Sequence, residues 1–160
     1  MGLRIVTGYG YPEEILSLFT EYTDMLIASD EAFRTYLSMQ NYEEEIQHLE
    51  AKYGHPEDRL YLALWDEDPA GCIALRKLSA ESCEMKRLYV KPSYRGKKIA
   101  HALALQVIED AREMGYDHML LDTLPFLKSA YHFYRELGFY EIPPYLDSPM
   151  KDSIFMRLDL

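Results

Sequence analysis

The sequence predicts a mixed α/β fold, in which helices cover the faces of one central, mostly antiparallel twisted sheet. Two segments with the apolar spacing of amphipathic helices precede three consecutive strand-like runs. A long helical pattern, a short strand-like run and another helix follow, and two strand-like runs end the chain. This β-α-α-β-β-β-α-β-α-β-β order is typical of a mixed sheet with helices on its faces.

The first third of the chain is predicted to hold one strand and two helices. Leu3 to Val6 is apolar and strand-like, and Glu13 to Ile27 repeats apolar residues at helical spacing. Tyr42 to Tyr53 gives a second, shorter helical pattern, and Gly54 directly after it favours a stop.

The middle of the chain is predicted to form an antiparallel meander. Leu60 to Trp65 and Gly71 to Leu78 are strand-like, and the Asp and Pro content of the loop from Asp66 to Ala70 suits a hairpin. Cys83 to Val90 would add the third strand. In a regular strand, alternate side chains share a face, so one face would carry Glu84, Lys86, Leu88 and Val90, and the other Cys83, Met85, Arg87 and Tyr89.

The last third is predicted to alternate helices and strands, and glycines mark the helix ends. The predicted elements are a helix from Ala100 to Met114, a buried strand from Met119 to Leu121, a helix from Leu127 to Leu137, and strands from Phe139 to Ile142 and Ser153 to Leu158.

Size and charge limit the classes of function. A chain of 160 residues with 48% hydrophobic residues fits a single globular domain spanning residues 1–160. The formal net charge is −10, and residues 1–60 carry four basic against twelve acidic side chains, which argues against nucleic-acid binding. This acidic half would favour a cationic partner such as an amine, or only keep the protein soluble.

The two cysteines, Cys72 and Cys83, lie in apolar strand-like runs, so we expect buried free thiols. They predict neither a disulfide framework nor a metal site. No run approaches the roughly 18 apolar residues of a membrane-spanning helix, and the N-terminal residues lack a secretion signal. We therefore expect no membrane association and a cytoplasmic location.

A basic turn between the third meander strand and the long helix is the most informative segment. Residues 84–100 hold six basic side chains against one acidic residue, Glu84, and the turn itself reads Tyr94-Arg95-Gly96-Lys97-Lys98-Ile99-Ala100. Backbone N–H groups at a helix N-terminus and the helix dipole together suit a phosphate. The turn is therefore a candidate anion site, although a cluster of charges also occurs on ordinary solvated loops.

Two motifs carry a family resemblance. The first is Arg95-Gly96-Lys97-Lys98-Ile99-Ala100 after Val90, and the second is the stretch from Ala130 to Phe139. Together with the element order, they resemble the GNAT superfamily of acetyl-CoA-dependent N-acetyltransferases. The resemblance implies the GNAT fold, acetyl-CoA as co-substrate and no metal.

The resemblance also implies which residues hold the cofactor. In the family, an Arg/Gln-x-x-Gly-x-Gly/Ala turn donates backbone N–H groups to the pyrophosphate of coenzyme A, and the preceding strand leaves amides free. The implied cofactor-binding residues are Leu88, Tyr89, Val90, Arg95, Gly96, Lys97, Lys98, Ile99 and Ala100. The amide of Leu88 would be the oxyanion donor.

Two positions depart from the family pattern. Lys98 stands where the family has its middle glycine, and Leu127 stands where many members have an Asn that contacts the pantetheine arm. A lysine would be strained if that backbone position has positive φ, whereas its ammonium would attract phosphate. The sequence leaves both outcomes open.

Catalytic roles follow from the resemblance. Tyr134 lies four residues before Gly138, where the family's general-acid tyrosine protonates the coenzyme A thiolate, and Glu84 lies where some members carry a catalytic glutamate. Tyr134 could instead be an aromatic core residue, and Glu84 could pair with Lys86 or Arg87. Asp122 could touch substrate, but capping the next helix is the more ordinary duty of such a residue.

The resemblance implies an N-acetyltransferase that moves an acetyl group to a primary amine of a small molecule or peptide, by direct transfer in a ternary complex. One alternative is a non-catalytic acyl-CoA-binding or sensing module, and another is an acidic protein-interaction module. A homodimer is common in the family. The loop from Pro143 to Asp152 and the early helices would shape the acceptor site.

Overall fold

A computed structural model describes residues 2–54 and 56–160 as seven strands in one sheet with helices packed on it. The strands are β1 (Leu3–Thr7), β2 (Arg59–Trp65), β3 (Asp68–Lys77), β4 (Ser82–Val90), β5 (His118–Thr123), β6 (Tyr140–Ile142) and β7 (Ile154–Asp159). The helices are α1 (Pro12–Ser29), α2 (Ala32–Met39), α3 (Tyr42–Gln47), α4 (Leu49–Tyr53), α5 (Ile99–Glu113) and α6 (Lys128–Leu137). Short 3-10 turns occupy Gly8–Gly10 and Pro92–Tyr94.

The strand order across the sheet is β1-β2-β3-β4-β5-β7-β6. The β4–β5 pair is parallel, and the other neighbouring pairs are antiparallel. The prediction of a mixed, mostly antiparallel sheet flanked by helices is therefore confirmed, and so is the antiparallel meander of β2, β3 and β4.

The hairpin between β2 and β3 is tighter than predicted. Asp66 and Glu67 both have positive φ, 49° and 70°, which is the backbone of a two-residue hairpin turn that matches the twist of its strands. Pro69 pairs with Leu64 inside the ladder. The predicted loop from Asp66 to Ala70 was too long, because the usual Gly of such a turn is absent here.

The helical region before β2 differs from the prediction in two ways. Helix α2 was not predicted; its signal is Asp30, which accepts a hydrogen bond from the Ala32 amide at 2.9 Å, followed by buried Phe33 and Tyr36. The predicted helix from Tyr42 to Tyr53 is broken at His48, whose φ of −138° and ψ of 65° separate α3 from α4.

Apolar side chains fill the space on both faces of the sheet. On one face, α5 residues including Leu103 and Val107 pack with Ile73 and Leu75 of β3. On the other face, α1 residues including Leu18 and Phe19 pack with strand residues such as Leu62, Cys72 and Ala74. Both Cys72 and Cys83 are buried free thiols, as predicted.

Strand β4 carries a bulge that changes which side chains share a face. Ala74 pairs with Lys86, but Cys72 pairs with Tyr89, so one residue of β4 is inserted, and Arg87 has a φ of 58°. Since Ala74 and Cys72 lie two apart on β3, Lys86 and Tyr89 share the face toward α1.

The faces predicted for this strand are therefore wrong beyond Lys86. Leu88 and Val90 pack on the α5 side, whereas Lys86 shares the α1 side with Tyr89. The physical reason is the inserted residue, because regular alternation along a strand requires an unbroken ladder.

Strands β4 and β5 diverge after a short ladder. The parallel pairing joins Ser82–Glu84 to His118–Leu120, although β4 continues to Val90 and β5 to Thr123. The two strands splay apart beyond Glu84, and the resulting gap lies beside the bulge. In the described part of the chain, no helix has both the length and the apolar character needed to cross a bilayer.

Candidate active site

A cleft of about 490 Å³ opens between the end of β4 and the beginning of α6. Its lining residues are Tyr22, Met25, Leu88, Tyr89, Val90, Arg95, Ala100, Phe126, Leu127, Lys128, Ser129, Ala130, Phe133 and Tyr134. A second hollow of about 520 Å³ adjoins it along the basic turn and shares Val90, Arg95, Ala100 and Phe133. The two hollows form a continuous, elongated groove.

The basic turn has the backbone of an anion site. Gly96 and Lys98 have φ values of 83° and 61°, and α5 begins directly after Lys98. The Ala102 amide donates to the Lys98 carbonyl at 3.1 Å, so the amides of the residues between them have no acceptor within the helix. Lys98 therefore adopts the left-handed conformation that favours glycine, which costs a lysine about 1 kcal/mol or more.

The basic side chains of this turn take different directions. The Arg95 Nε donates to the Val90 carbonyl at 3.2 Å, which holds the guanidinium beside the groove. The Lys97 ammonium lies 4.7 Å from the centre of the Trp65 ring, in a cation–π contact. Lys98 lines the groove. This combination of helix amides and cationic groups fits a pyrophosphate.

Tyr134 lies on the wall of the cleft. Its ring packs against Phe133 and Phe139, with ring centres 5.8 and 5.9 Å away, and α6 ends four residues later at Gly138. Burial raises the pKa of Tyr134 above its ordinary value, so the phenol stays protonated. A phenol of this kind is a hydrogen-bond and proton donor.

A small, more enclosed cavity of about 40 Å³ lies behind the cleft. Its walls come from α1, α2, β4 and β5, and its lining residues are Tyr22, Phe33, Tyr36, Gln40, Met85, Lys86, Arg87, Leu88, Leu121, Asp122 and Tyr134. Tyr22, Leu88 and Tyr134 also line the cleft. The polar cavity and the cleft are therefore neighbours that have these three side chains in common.

Asp122, at the end of β5, faces this cavity. Its carboxylate accepts a hydrogen bond from the Tyr36 hydroxyl at 2.8 Å. Burial, and next the charge of Glu84, raise the pKa of Asp122. Leu127 occupies the N-cap position of α6, and no side chain forms a capping hydrogen bond there. The interpretation of Asp122 as a cap of this helix is therefore wrong.

Glu84 is buried beside the same pair of strands, with 4% of its surface exposed. Its Oε2 accepts a hydrogen bond from the Tyr145 hydroxyl at 2.7 Å, and its Oε1 lies 4.0 Å from the Lys86 ammonium. Tyr145 belongs to the loop predicted to shape the acceptor site. Glu84 itself is absent from the residues that line the cavity.

Arg87 forms a buried ion pair that the sequence pattern did not reveal. Its guanidinium donates to both carboxylate oxygens of Glu45, at 2.9 and 3.0 Å, and to the Gln40 side-chain oxygen at 2.7 Å. Burial alone would raise the pKa of Glu45, but Arg87 lowers it to about 2. This pair ties the bulge of β4 to α3, and it leaves Glu84 without an arginine partner.

The structure brings most of the predicted cofactor residues to one groove. Leu88, Tyr89, Val90, Arg95 and Ala100 line the cleft, and Gly96, Lys98 and Ile99 line the adjoining hollow. Lys97 lies over Trp65 and is absent from both linings. Sequence reasoning missed the pairing of Asp122 with Tyr36, because it joins residues 86 positions apart.

Two further comparisons with the predictions concern chemistry. In residues 2–54 and 56–160, no group of three or more His, Cys, Asp or Glu side chains is arranged to hold a metal ion. Burial raises the pKa of the Cys83 thiol to about 12, and burial also raises the pKa of Cys72. Neither cysteine is therefore a ready nucleophile.

Known sequences and structures match this chain over most of its length. The profile described as "Acetyltransferase (GNAT) family" matches residues 19–139. An uncharacterized N-acetyltransferase of Dictyostelium discoideum is 31% identical, and the alignment covers 100% of both chains.

Solved structures share the fold. An acetyltransferase from Streptococcus agalactiae superposes with a TM-score of 0.79 at 23% identity, covering 100% of this chain and 99% of that protein. A PaiA N-acetyltransferase from Thermoplasma acidophilum, solved in complex with coenzyme A, gives 0.74 at 21% identity with 100% of both chains covered. The sheet and its helices therefore have the architecture of these enzymes.

Proposed function

The chain belongs to the GNAT acetyltransferase family, and from this premise we propose that it transfers an acetyl group from acetyl-CoA to a primary amine of a small molecule or peptide. Transfer would be direct, within a ternary complex. The observation that carries this proposal is that the open cleft and the polar cavity lie side by side and share Tyr134 and Leu88 in their walls. The cleft would hold the thioester, and the cavity would hold the amine.

The groove supports the predicted cofactor site. The amides at the start of α5 and the guanidinium of Arg95 would bind the pyrophosphate, and the splayed edge of β4 from Leu88 to Val90 would bind the pantetheine arm. The structurally similar Thermoplasma enzyme was solved with coenzyme A, which is consistent with this assignment. Acetyl-CoA supplies an activated thioester when bound.

The residues around the junction supply the remaining chemistry. The Leu88 amide lies on the part of β4 that β5 leaves unpaired, and would donate to the carbonyl oxygen that gains charge. The phenol of Tyr134 would deliver a proton to the departing thiolate. Its raised pKa keeps that proton in place at neutral pH.

Two carboxylates are candidates for the base that takes a proton from the amine. Glu84 is the residue predicted from the sequence, but Asp122 is the carboxylate that lines the cavity. We propose that Asp122 contacts the amine and that Glu84 acts beside it, through its charge or through water. The role of Glu84 as a base that acts directly or through water stays a prediction.

The test is a calorimetric titration with acetyl-CoA followed by transfer assays over a panel of amines. We expect wild type to bind acetyl-CoA, and an Arg95→Ala/Lys97→Ala double variant to bind it at least tenfold more weakly, since the guanidinium beside the groove and a second positive charge of the same turn are lost. The matched control is Arg34→Ala, because Arg34 forms an exposed pair with Glu31 on α2.

Each outcome separates the proposal from its rivals. Binding with transfer to at least one amine supports an acetyltransferase, and binding without any transfer would support a non-catalytic acyl-CoA-binding or sensing module. No binding at all would favour the acidic protein-interaction module. The cytoplasmic location and the homodimer stay predictions.

A further inference from the structure

Lys86 is a buried cation of the cavity that the proposed mechanism does not use. Its side chain is 6% exposed, and it lines the cavity together with Asp122 and Tyr134. The nearest carboxylate oxygen is Oε1 of Glu84 at 4.0 Å, which is beyond hydrogen-bond distance. Within the described residues, no hydrogen bond engages the Lys86 ammonium.

The neighbouring cation differs from Lys86 in this respect. The guanidinium of Arg87 is engaged by Glu45 and Gln40 through three hydrogen bonds. A lysine ammonium has three donors and no acceptor, and burying it without partners is unfavourable. Burial, and next the charge of Arg87, lower the pKa of Lys86 to about 7. Lys86 therefore lacks the acceptor group that Arg87 has.

The cavity volume limits the size of the group that could accept hydrogen bonds from Lys86, and the positive charge of Lys86 favours a negatively charged group. The volume of about 40 Å³ has room for a carboxylate and not for a whole amino acid, so the rest of the substrate would extend toward the cleft. The cavity shares the side chains of Tyr22, Leu88 and Tyr134 with the wall of the cleft. Asp122 lines the same cavity, and its carboxylate would attract an amine. A small molecule that carries both an amine and a carboxylate is complementary to this pair of charges.

We propose that Lys86 binds the carboxylate of the acceptor, so that the substrates are amino carboxylates such as free amino acids. This inference rests on the proposed acetyltransferase function. The amine would lie near Asp122 and the cofactor cleft, and the carboxylate would accept hydrogen bonds from the Lys86 ammonium. A simple amine or an amino acid amide would leave that ammonium without its acceptor.

A purely structural role for Lys86 makes a different prediction. If its charge only balanced Glu84 and Asp122, substitution of Lys86 would affect all acceptors equally. The test must therefore compare acceptors that differ in the carboxylate alone.

The experiment compares free amino acids with the corresponding amino acid amides in the wild type, Lys86→Met and Lys86→Arg proteins. We expect wild type to prefer the acid of each active pair. Lys86→Met should raise KM for the acids roughly tenfold to hundredfold with little change in kcat or in KM for the amides, because one charge-assisted contact is lost. Lys86→Arg should restore part of the preference.

Lys77→Met is the matched control. Lys77 ends β3 and pairs with Glu57, and both side chains are largely exposed. We expect it to leave both KM values unchanged. Equal use of acids and amides by wild type, or an equal loss with both in Lys86→Met, would overturn the inference.

A binding measurement keeps the inference separate from the proposed function. With coenzyme A present, N-acetyl amino acids and their amides are titrated into wild type and Lys86→Met. Weaker binding of the acids alone to Lys86→Met supports the carboxylate site even if no amine is acetylated, a result that would refute only the enzymatic proposal. Equal binding of acids and amides by wild type in this titration would overturn the carboxylate site itself.

Discussion

The buried surroundings of Tyr134 keep its side chain in one protonation state, the neutral phenol. Its side chain lines both the cleft and the cavity, and its raised pKa keeps the hydroxyl protonated. In Tyr134→Phe we expect kcat to fall about 100-fold or more, because general acid catalysis is lost, with acetyl-CoA binding unchanged by calorimetry. Tyr131→Phe is the control on the same helix, since the Tyr131 hydroxyl donates to exposed Glu141 and Tyr131 lines neither hollow. A wild-type kcat in Tyr134→Phe would refute the general-acid role.

Asp122 and Glu84 can be told apart by the pH dependence of kcat/KM. A base works when deprotonated, so activity should fall as pH drops through the raised pKa of Asp122. Asp122→Asn should remove this acidic limb and lower kcat/KM at least tenfold. Glu84→Gln should move the limb to lower pH, because the negative charge of Glu84 helps to raise the pKa of Asp122. The opposite assignment holds if Glu84→Gln removes the limb.

At the scale of elements, Lys98 in the turn before α5 combines a strained backbone conformation with a charged side chain that lines the groove. The residue keeps a φ of 61° and also brings a positive charge to the groove. We expect Lys98→Gly to raise the free energy of unfolding by up to about 1 kcal/mol in urea titrations, because the strain relieved at a left-handed residue exceeds the cost of the freedom that glycine adds to the unfolded chain.

Lys97→Gly serves as the comparison for this turn. Lys97 is absent from the residues with positive φ, and its ammonium contacts Trp65. Glycine there should lower the free energy of unfolding by about 0.5 to 1 kcal/mol, since it adds freedom to the unfolded chain. Equal effects of the two glycine substitutions would contradict the idea that Lys98 is strained.

The elements that could be predicted from the sequence are those with a long or repeated apolar pattern. All seven strands, α1, α5 and α6 were located within a few residues of their observed ends. Helix α2 has a local signal that the prediction overlooked, Asp30 followed by Phe33 and Tyr36. The bulge at Arg87 could not be predicted from the apolar pattern, because it is accompanied by contacts distant in sequence, such as Arg87 with Glu45. For the same reason, the two motifs indicated residues that line the groove, but not the pairing of Asp122 with Tyr36 or the burial of Lys86.

At the scale of the whole molecule, the Glu45–Arg87 pair makes the free energy of unfolding depend on pH in the acidic range. The pKa of Glu45 in the folded protein, about 2, is below its ordinary value of 4.5. Its contribution is therefore fully present above about pH 4.5 and is lost as pH falls toward 2, up to about 3 kcal/mol. Urea unfolding at a series of pH values should show this loss.

Two glutamate variants check that assignment. Glu45→Gln should unfold more easily at pH 7 by about 3 to 5 kcal/mol, because Arg87 stays buried without its counter-charge, and should show a weaker response to acid. Glu67→Gln should leave the free energy of unfolding nearly unchanged, since the Glu67 pair with Arg4 is exposed. An identical acid response in wild type and Glu45→Gln would place the linkage elsewhere.

The short ladder between β4 and β5 has a mechanical consequence. Ser82–Glu84 and His118–Leu120 are the pairs that join the leaf β1–β4 to the leaf formed by β5, β7 and β6. At one end of this ladder, the Asp117 and His118 amides also donate to the Glu81 carbonyl. Toward the ends of β4 and β5, no backbone hydrogen bond between described residues joins the two strands. A ligand held by β4 on one side and α6 on the other would act as a clasp between them. Its binding should therefore slow amide hydrogen exchange in β5 and β7, including amides that the ligand does not touch.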